Sequence, residues 1–323
     1  MNLAIIIPVY NEQENLPELT RRLTAACETM EGIDWRVIFV NDGSTDESWR
    51  MLGESHAADA RFCVVDLSRN FGHQAAISAG MMHADADAVV VMDADLQDPP
   101  EVIPDLVAAW REGAQIVLAE RRTRQERGLR RVGFELFHRL FKWISDFPVA
   151  PRTGVFGLLN RQAAEAFRSL PETNRFFPGL RSWIGFDQRI VHYDRADRAA
   201  GRPKQTLRRL VRYASDGIFS FSHKPLHLMT GAGVLISGFG FVLGMVFLVK
   251  RLLGVEQAQM GFTTLIVVVT FIGGIQLMSL GLLGQYLSRV YDEVKRRPIY
   301  IVRQRLGVPG SAESQTTEES AGP

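Results

Sequence analysis

The sequence predicts an α/β fold: a mostly parallel sheet covered by helices, followed by amphipathic interfacial helices and two transmembrane helices. Three observations predict it. Short apolar runs alternate with helical patterns through the first two-thirds of the chain, the signature of strand–helix–strand units. Three of those runs end in polar turns that carry carboxylates. Two long uncharged segments occupy the last third.

The expected strands are Leu3–Ile7, Arg36–Asn41, Phe62–Leu67, Ala88–Met92 and Gln115–Leu118, with amphipathic helical stretches such as Glu12–Met30 and Glu101–Glu112 between them. Further along, Leu129, Val132, Leu136, Phe137, Leu140, Phe141 and Ile144 recur at helical spacing among arginines. Leu207, Leu210, Val211, Ala214, Ile218 and Phe221 repeat that pattern beside Arg208, Arg209 and Arg212. Basic amphipathic helices suit a membrane interface, and packing onto the domain or a neighbouring subunit is the other reading.

From Pro225 to Val249 there is no Asp, Glu, Lys or Arg, and a second uncharged run extends from Gln257 to Ser288. A bilayer core needs roughly 20 apolar residues per helix, so both runs are long enough to span it. Basic residues crowd both outer flanks, from Arg195 to Lys224 and from Arg289 to Arg305, while the loop between the runs holds only Lys250 and Arg251. The positive-inside bias therefore places both the N-terminal domain and the tail in the cytoplasm. Gly240 and Gly244 form a GxxxG spacing, which lets membrane helices approach closely but also arises by chance in a Gly-rich span. The expected organisation is a catalytic domain over 1–205, a juxtamembrane helix over 206–224, a two-helix hairpin over 225–288 and a tail over 289–323, disordered from about Gly307.

Composition narrows the function. The 323 residues carry 37 Lys+Arg against 36 Asp+Glu, a formal charge of +1, which excludes a bulk polycation and gives no footing for nucleic acid. Mean hydropathy is −0.02, an average that hides two apolar segments in a polar protein. Cys27 and Cys63 form no CxxC pair and read as reduced, buried thiols. No secretory signal is expected, because the first apolar run stops at Pro8 and no charged region precedes it.

In parallel α/β sheets, ligands bind at the carboxyl ends of the strands. There the chain carries Pro8-Val9-Tyr10-Asn11-Glu12, then Asn41-Asp42-Gly43-Ser44-Thr45-Asp46, then Asp93-Ala94-Asp95-Leu96-Gln97-Asp98. Alone, the Asp-Gly-Ser-Thr turn is ordinary helix-capping chemistry, and an Asp-x-Asp pair is common on surfaces. Three such turns in order on one sheet edge point to a site. Asp93 and Asp95 would repel a nucleotide diphosphate unless Mg²⁺ or Mn²⁺ accepted oxygen ligands from both, and such a cation stabilises a departing diphosphate. The glycine-rich dinucleotide fingerprint is absent after the first strand, which disfavours a dehydrogenase.

IIPVYNEQENL within Ile5–Leu16, VNDGSTDES at Val40–Ser48, and LSRNFGHQAAISAG and DADLQDPP within Leu67–Pro100 together resemble the inverting family 2 glycosyltransferases. More narrowly, the chain is similar to the polyprenyl-phosphate glycosyltransferases of the dolichol-phosphate mannose synthase type. Within these it looks like the bacterial two-span members, the O-antigen glucosyl transferases and the formamido-arabinose transferase of lipid A modification. The likeness runs from Leu3 to about Val302, including SFSHKPL and LLGQYLSRVYDEVKRRPIY.

That resemblance implies a GT-A, Rossmann-like sheet and transfer of one sugar from a nucleotide sugar to a polyprenyl (undecaprenyl) phosphate at the cytoplasmic face of a bacterial inner membrane. A UDP-sugar is the favoured donor, with glucose first by analogy, and a homotetramer is implied. Carried over residue by residue, Pro8, Tyr10 and Glu12 would line the base and ribose pocket, and Asn41 and Asp42 would stand at the second nucleotide turn, with the greater weight on Asp42. Asp93, Asp95 and Gln97 match the metal triplet, with Asp95 and Asp93 catalytic. Arg198 and Lys204, in a run similar to R-x-x-G-x-S-K, would hold the lipid phosphate, although such a run also suits anionic lipid headgroups. Arg121 and Arg124 match a second phosphate-contacting pair, with Arg122 the alternative.

One segment departs from the pattern. Many relatives read roughly G-D-F-R-L where this chain has Gly154-Val155-Phe156-Gly157-Leu158, so an acidic and a basic residue are missing. A phosphate acceptor with a second pKa of about 6 is already largely dianionic at pH 7, so it needs positioning rather than proton removal. The rival readings are a processive polysaccharide synthase, disfavoured by the absence of a Gln-x-x-Arg-Trp motif, and a silent scaffold or sugar-lipid flippase accessory, disfavoured by the complete metal triplet.

Overall fold

A computed structural model of the chain describes residues 1–121, 153–193, 224–253 and 261–308. The chain divides into two compact units. The first is built on one eight-stranded sheet with strands β1 (Asn2–Val9), β2 (Asp34–Asn41), β3 (Phe62–Leu67), β4 (Ala88–Val91), β5 (Ile116–Arg121), β6 (Thr153–Asn160), β7 (Gln188–Tyr193) and β8 (Val302–Leu306). Their order across the sheet is β7-β5-β6-β4-β1-β2-β3-β8. β1 pairs in parallel with β2 and β4, β2 with β3, and β5 with β7, while β6 and β8 run antiparallel to their neighbours.

Among the described residues, six helices cover the sheet: α1 (Leu16–Cys27), α2 (Ser48–Ala58), α3 (His73–His83), α4 (Ile103–Arg111), α5 (Arg161–Ser169) and α6 (Phe177–Trp183). The central strands are apolar on both faces because both faces are packed. On β1, Leu3, Ile5, Ile7 and Val9 join a core with Leu16, Leu19, Leu23 and Leu106. On the other face Ile6 meets α3, where a Cβ built on Gly80 would lie 2.2 Å from the Ile6 Cγ2. Only glycine lets that helix lie so close to the strand. α5 starts where Asn160 accepts the Ala163 N–H at 2.9 Å, an N-cap that fixes its first turn.

The five expected strands are present. The three remaining strands differ from expectation. β6 and β7 were not anticipated as strands, and part of the segment assigned to the tail is β8, the sheet's edge.

The second unit contains α7 (Lys224–Leu252) and α8 (Phe262–Lys295). Among the described residues one stretch, Leu226–Val246 on α7, is long and apolar enough to cross a membrane, with a hydropathy of 1.8. Both helices expose large apolar side chains, including Leu235, Phe239, Leu277 and Met278. Among the described residues, nothing lies within 4 Å of a Cβ built on Gly240 or Gly244. α8 continues past the expected end of the hairpin at Ser288 and closes at Arg296, whose left-handed conformation (φ 48°) ends the helix. The two basic amphipathic stretches and the tail beyond Val308 lie outside the described residues.

Candidate active site

β1, β2 and β4 are adjacent and parallel, so the turns that follow them meet at one edge. They enclose a cavity of about 400 Å³ lined by Pro8, Tyr10, Glu12, Asp42, His73, Asp93 and Asp95, together with Val9, Asn70, Gly72 and Ala94. The three turns and the loop after β3, which supplies Asn70, Gly72 and His73, thus build one pocket.

Asp42 is nearly fully buried. Its Oδ1 accepts the Phe71 N–H at 2.7 Å and its Oδ2 the Gly72 N–H at 3.0 Å. Burial pushes its pKa up, and those two N–H bonds, with His73 and Arg69 nearby, partly offset the rise. The carboxylate therefore holds the loop after β3 against the turn after β2. Gly43 makes this approach feasible. It sits at φ 64°, and a Cβ there would fall 2.5 Å from the Arg69 carbonyl carbon and 2.6 Å from the Asn70 nitrogen.

Asn41 does not line the cavity. Its Nδ2 donates to Asp66 Oδ1 at 2.7 Å, and its Oδ1 accepts the Ser44 N–H at 3.2 Å. Neighbouring residues at a strand end point to opposite faces, and Asp42 takes the pocket side while Asn41 packs against Asp66. Glu12 faces the cavity while accepting from Asn15 Nδ2 at 2.5 Å, and its own N–H donates to Ser48 Oγ at 3.0 Å. Tyr10 is half exposed at the rim.

Asp93 and Asp95 both face the cavity. His73 Nε2 lies 2.8 Å from Asp93 Oδ1. Burial opposes a charged imidazole, but the Asp93 hydrogen bond and the charges of Asp93, Asp42 and Asp95 outweigh it, so the His73 pKa is raised. Asp95 Oδ1 accepts the Gln97 N–H at 3.1 Å. Gln97 is not among the residues lining the cavity.

Arg121 is not among the residues lining this cavity. It donates to buried Asp98 at 2.9 Å and to the Tyr193 hydroxyl at 3.0 Å, and the Tyr193 hydroxyl also donates to Asp98 at 2.5 Å. The cation expected to meet a phosphate is engaged by a buried carboxylate. Arg124, Arg198 and Lys204 lie outside the described residues.

The departing segment forms β6, between β4 and β5. Val155 is buried, and Gly157 leaves room for a buried guanidinium. Arg181, from α6, donates to the Gly154 carbonyl at 3.0 Å and the Val155 carbonyl at 3.3 Å. A Cβ on Gly157 would lie 3.1 Å from the Arg181 Nη1 and 2.6 Å from the Val117 carbonyl oxygen. The basic side chain absent at 157 is matched by one arriving from a different element.

Sequence reasoning assigned no role to His73 or Asn70, although both fall in the quoted LSRNFGHQAAISAG segment. A histidine directly after a glycine and at the head of a helix was the available signal.

Four carboxylates (Glu12, Asp42, Asp93 and Asp95) and one histidine line the cavity. A diphosphate enters such a pocket only with a cation to offset the repulsion. Hard carboxylate oxygens suit Mg²⁺ or Mn²⁺, which bind through one or two carboxylates and take further ligands from phosphates and water. Among the described residues there is no cluster of three or more His, Cys, Asp or Glu placed to hold a metal ion by itself.

Residues 4–167 match the family described as Glycosyl transferase family 2. The chain is 41% identical over 306 residues to the uncharacterized glycosyltransferase YkcC of Bacillus subtilis (strain 168), covering 94% of each. It is 36% identical over 305 residues to the bactoprenol glucosyl transferase of Shigella phage SfII, covering 94% of this chain and 98% of that one. Among solved structures, mannosyl-3-phosphoglycerate synthase from Rubrobacter xylanophilus aligns at 19% identity with a TM-score of 0.48, over 81% of this chain and 78% of that one.

Proposed function

This chain belongs to glycosyl transferase family 2 and is a glycosyltransferase, and we propose that it transfers a single sugar from a nucleotide sugar to a polyprenyl phosphate, inverting the anomeric centre. The observation that carries the reading is the convergence of Asp42, Asp93 and Asp95 on one cavity at the carboxyl ends of parallel strands. The acceptor is supported by relatives named bactoprenol glucosyl transferase and by the apolar stretch Leu226–Val246. The same names favour glucose, and UDP-glucose is the first donor to test.

In this reading Tyr10 and Glu12, at the rim, receive the base and ribose, and Asp42 sets the shape of the pocket wall through Phe71 and Gly72. Asp93 and Asp95 would hold a divalent cation, with His73 fixing the Asp93 carboxylate. Such a cation, when bound, would neutralise charge on the departing diphosphate. A phosphate oxygen of the lipid attacks the anomeric carbon from the side opposite the leaving group. No buried base is required, because the acceptor already carries its charge. Arg198 and Lys204 orient that phosphate. The catalytic unit and both termini lie on the cytoplasmic side of a bacterial inner membrane crossed by α7 and α8.

The test uses the full chain in detergent with undecaprenyl phosphate, Mn²⁺ or Mg²⁺ and a panel of nucleotide sugars, with mass spectrometry of the lipid fraction. A lipid-linked monosaccharide from one donor is the expected product. Longer glycans, or no lipid product while nucleotide still binds, would overturn the reading.

A further inference from the structure

β8 touches the supports of both loops that meet at Asp42. It pairs antiparallel with β3, placing Gln304 opposite Asp66 and Arg305 opposite Val65. Just before it, the Ile301 carbonyl accepts the Ser68 N–H at 2.9 Å. Arg303 donates to the Ser68 carbonyl and faces Asp66 Oδ2 at 3.5 Å.

From there two paths lead to the pocket. Asp66, 1% exposed, holds the Asn41 amide through its other oxygen, and Asn41 holds the Ser44 N–H. Ser44 Oγ accepts the Asn11 N–H at 3.1 Å, and Asn11 Oδ1 accepts the Thr45 N–H at 2.8 Å, so the turns after β1 and β2 are tied together. On the second path, Ser68 leads directly into Arg69–Gly72, whose last two N–H groups bind Asp42.

We propose that Arg303 is a positioning residue for the donor pocket: by bridging the Asp66 carboxylate and the Ser68 carbonyl, it fixes the two loops that flank Asp42. The inference rests on the donor-pocket reading above and gives the chain beyond α8 a part in that pocket without contact to the donor. A guanidinium suits the task because one rigid fork of donors can serve a carboxylate and a carbonyl together. A buried carboxylate is costly without a partner. With Arg303 removed, Asp66 keeps Asn41 but loses the charge that fixes its second oxygen. The ion pair is half exposed and contributes little stability of its own. Its effect is on geometry. Arg305 is the matched control: it lies on the same strand and carries the same charge, but its Nε donates to His83 Nε2 at 3.0 Å, on α3 and apart from both loops.

Hydrogen–deuterium exchange of the full chain in detergent, without nucleotide, reads the loops directly, and calorimetry with UDP and Mn²⁺ reads the pocket. In Arg303→Ala, peptides covering 41–48 and 67–73 are expected to exchange faster, with UDP binding weakened by about tenfold, the low end of what loss of a supporting shell costs. Arg303→Lys should recover part of both effects, and Arg305→Ala should change neither. Wild-type exchange in those peptides of Arg303→Ala would overturn the proposal, as would equal acceleration in Arg305→Ala. If the exchange pattern holds but the wild-type protein binds no UDP, positioning stands and the donor-pocket reading falls.

Discussion

His73 Nε2 lies 2.8 Å from Asp93 Oδ1, so an imidazole and a carboxylate share one wall of the cavity. Asp95, the other half of the Asp-x-Asp pair, is held through the Gln97 N–H. The two carboxylates are thus oriented by different kinds of donor, one from a side chain and one from the backbone. They should respond differently to mutation.

Asp95→Asn keeps the shape and removes the charge. Turnover should fall by at least about 10²–10³-fold, the range seen when a group stabilising transition-state charge is lost. Circular dichroism and membrane association should be unchanged. Near-normal activity would sink the metal assignment.

His73→Ala frees Asp93 to rotate. Mn²⁺ affinity, followed by electron paramagnetic resonance, should weaken by roughly 10–100-fold, and His73→Gln, which keeps a donor, should weaken it less. Equal affinity in all three proteins would show that Asp93 needs no such support.

Gly43→Ala should be among the most damaging small changes on the sheet edge. The residue sits at φ 64°, and its Cβ would strike the backbone at Arg69 and Asn70. A conformation of this kind costs a non-glycine residue about 1–3 kcal/mol, before the loop moves to relieve the clash. A lower melting temperature together with weaker UDP binding is expected. Loss of neither would show that the loop after β3 is free to shift.

Arg121→Ala separates two roles. If Arg121 neutralises buried Asp98, the variant loses stability on the order of 3 kcal/mol, because a buried carboxylate is left without its cation. Its dependence on lipid acceptor should change little in the fraction that folds. A raised acceptor KM at unchanged melting temperature would return Arg121 to the phosphate site.

Both cysteines should be unreactive in the folded protein. Burial pushes the Cys27 thiol up to about 12 and raises Cys63 as well, so neither supplies much thiolate at pH 8. Iodoacetamide should label both only after unfolding, which intact-mass analysis reads directly. Rapid labelling of the native protein would contradict the packing around α1 and β3.

The sheet's central strands were legible because buried parallel strands are continuous apolar runs, and Leu3–Ile7 and Phe62–Leu67 are bounded by polar turns. The convergence of their turns followed from that topology. β8 was not legible: Val302-Arg303-Gln304-Arg305-Leu306 is mostly polar, as an edge strand can be, and it stands far from its partner in sequence. Nor does sequence decide which of Asn41 and Asp42 faces the cavity, since one step along a strand end reverses the direction. His73 escaped notice because its partner Asp93 is twenty residues away, across a helix and a strand. The guanidinium beside Gly157 escaped for the same reason, since Arg181 belongs to another element.

The place of β8 in the chain imposes an order on synthesis. Arg303 and Ser68 bond across 235 residues, so a ribosome working at about 5–20 residues per second needs roughly 10–50 s to supply β8 after β3 has emerged. Throughout that interval β3 presents a bare row of backbone donors and acceptors, a template for pairing with other chains. The sheet reaches its final width only after α7 and α8 have both been translated. A protein cut off before those helices would carry that bare edge permanently, and it should be recovered as aggregate rather than as a soluble enzyme.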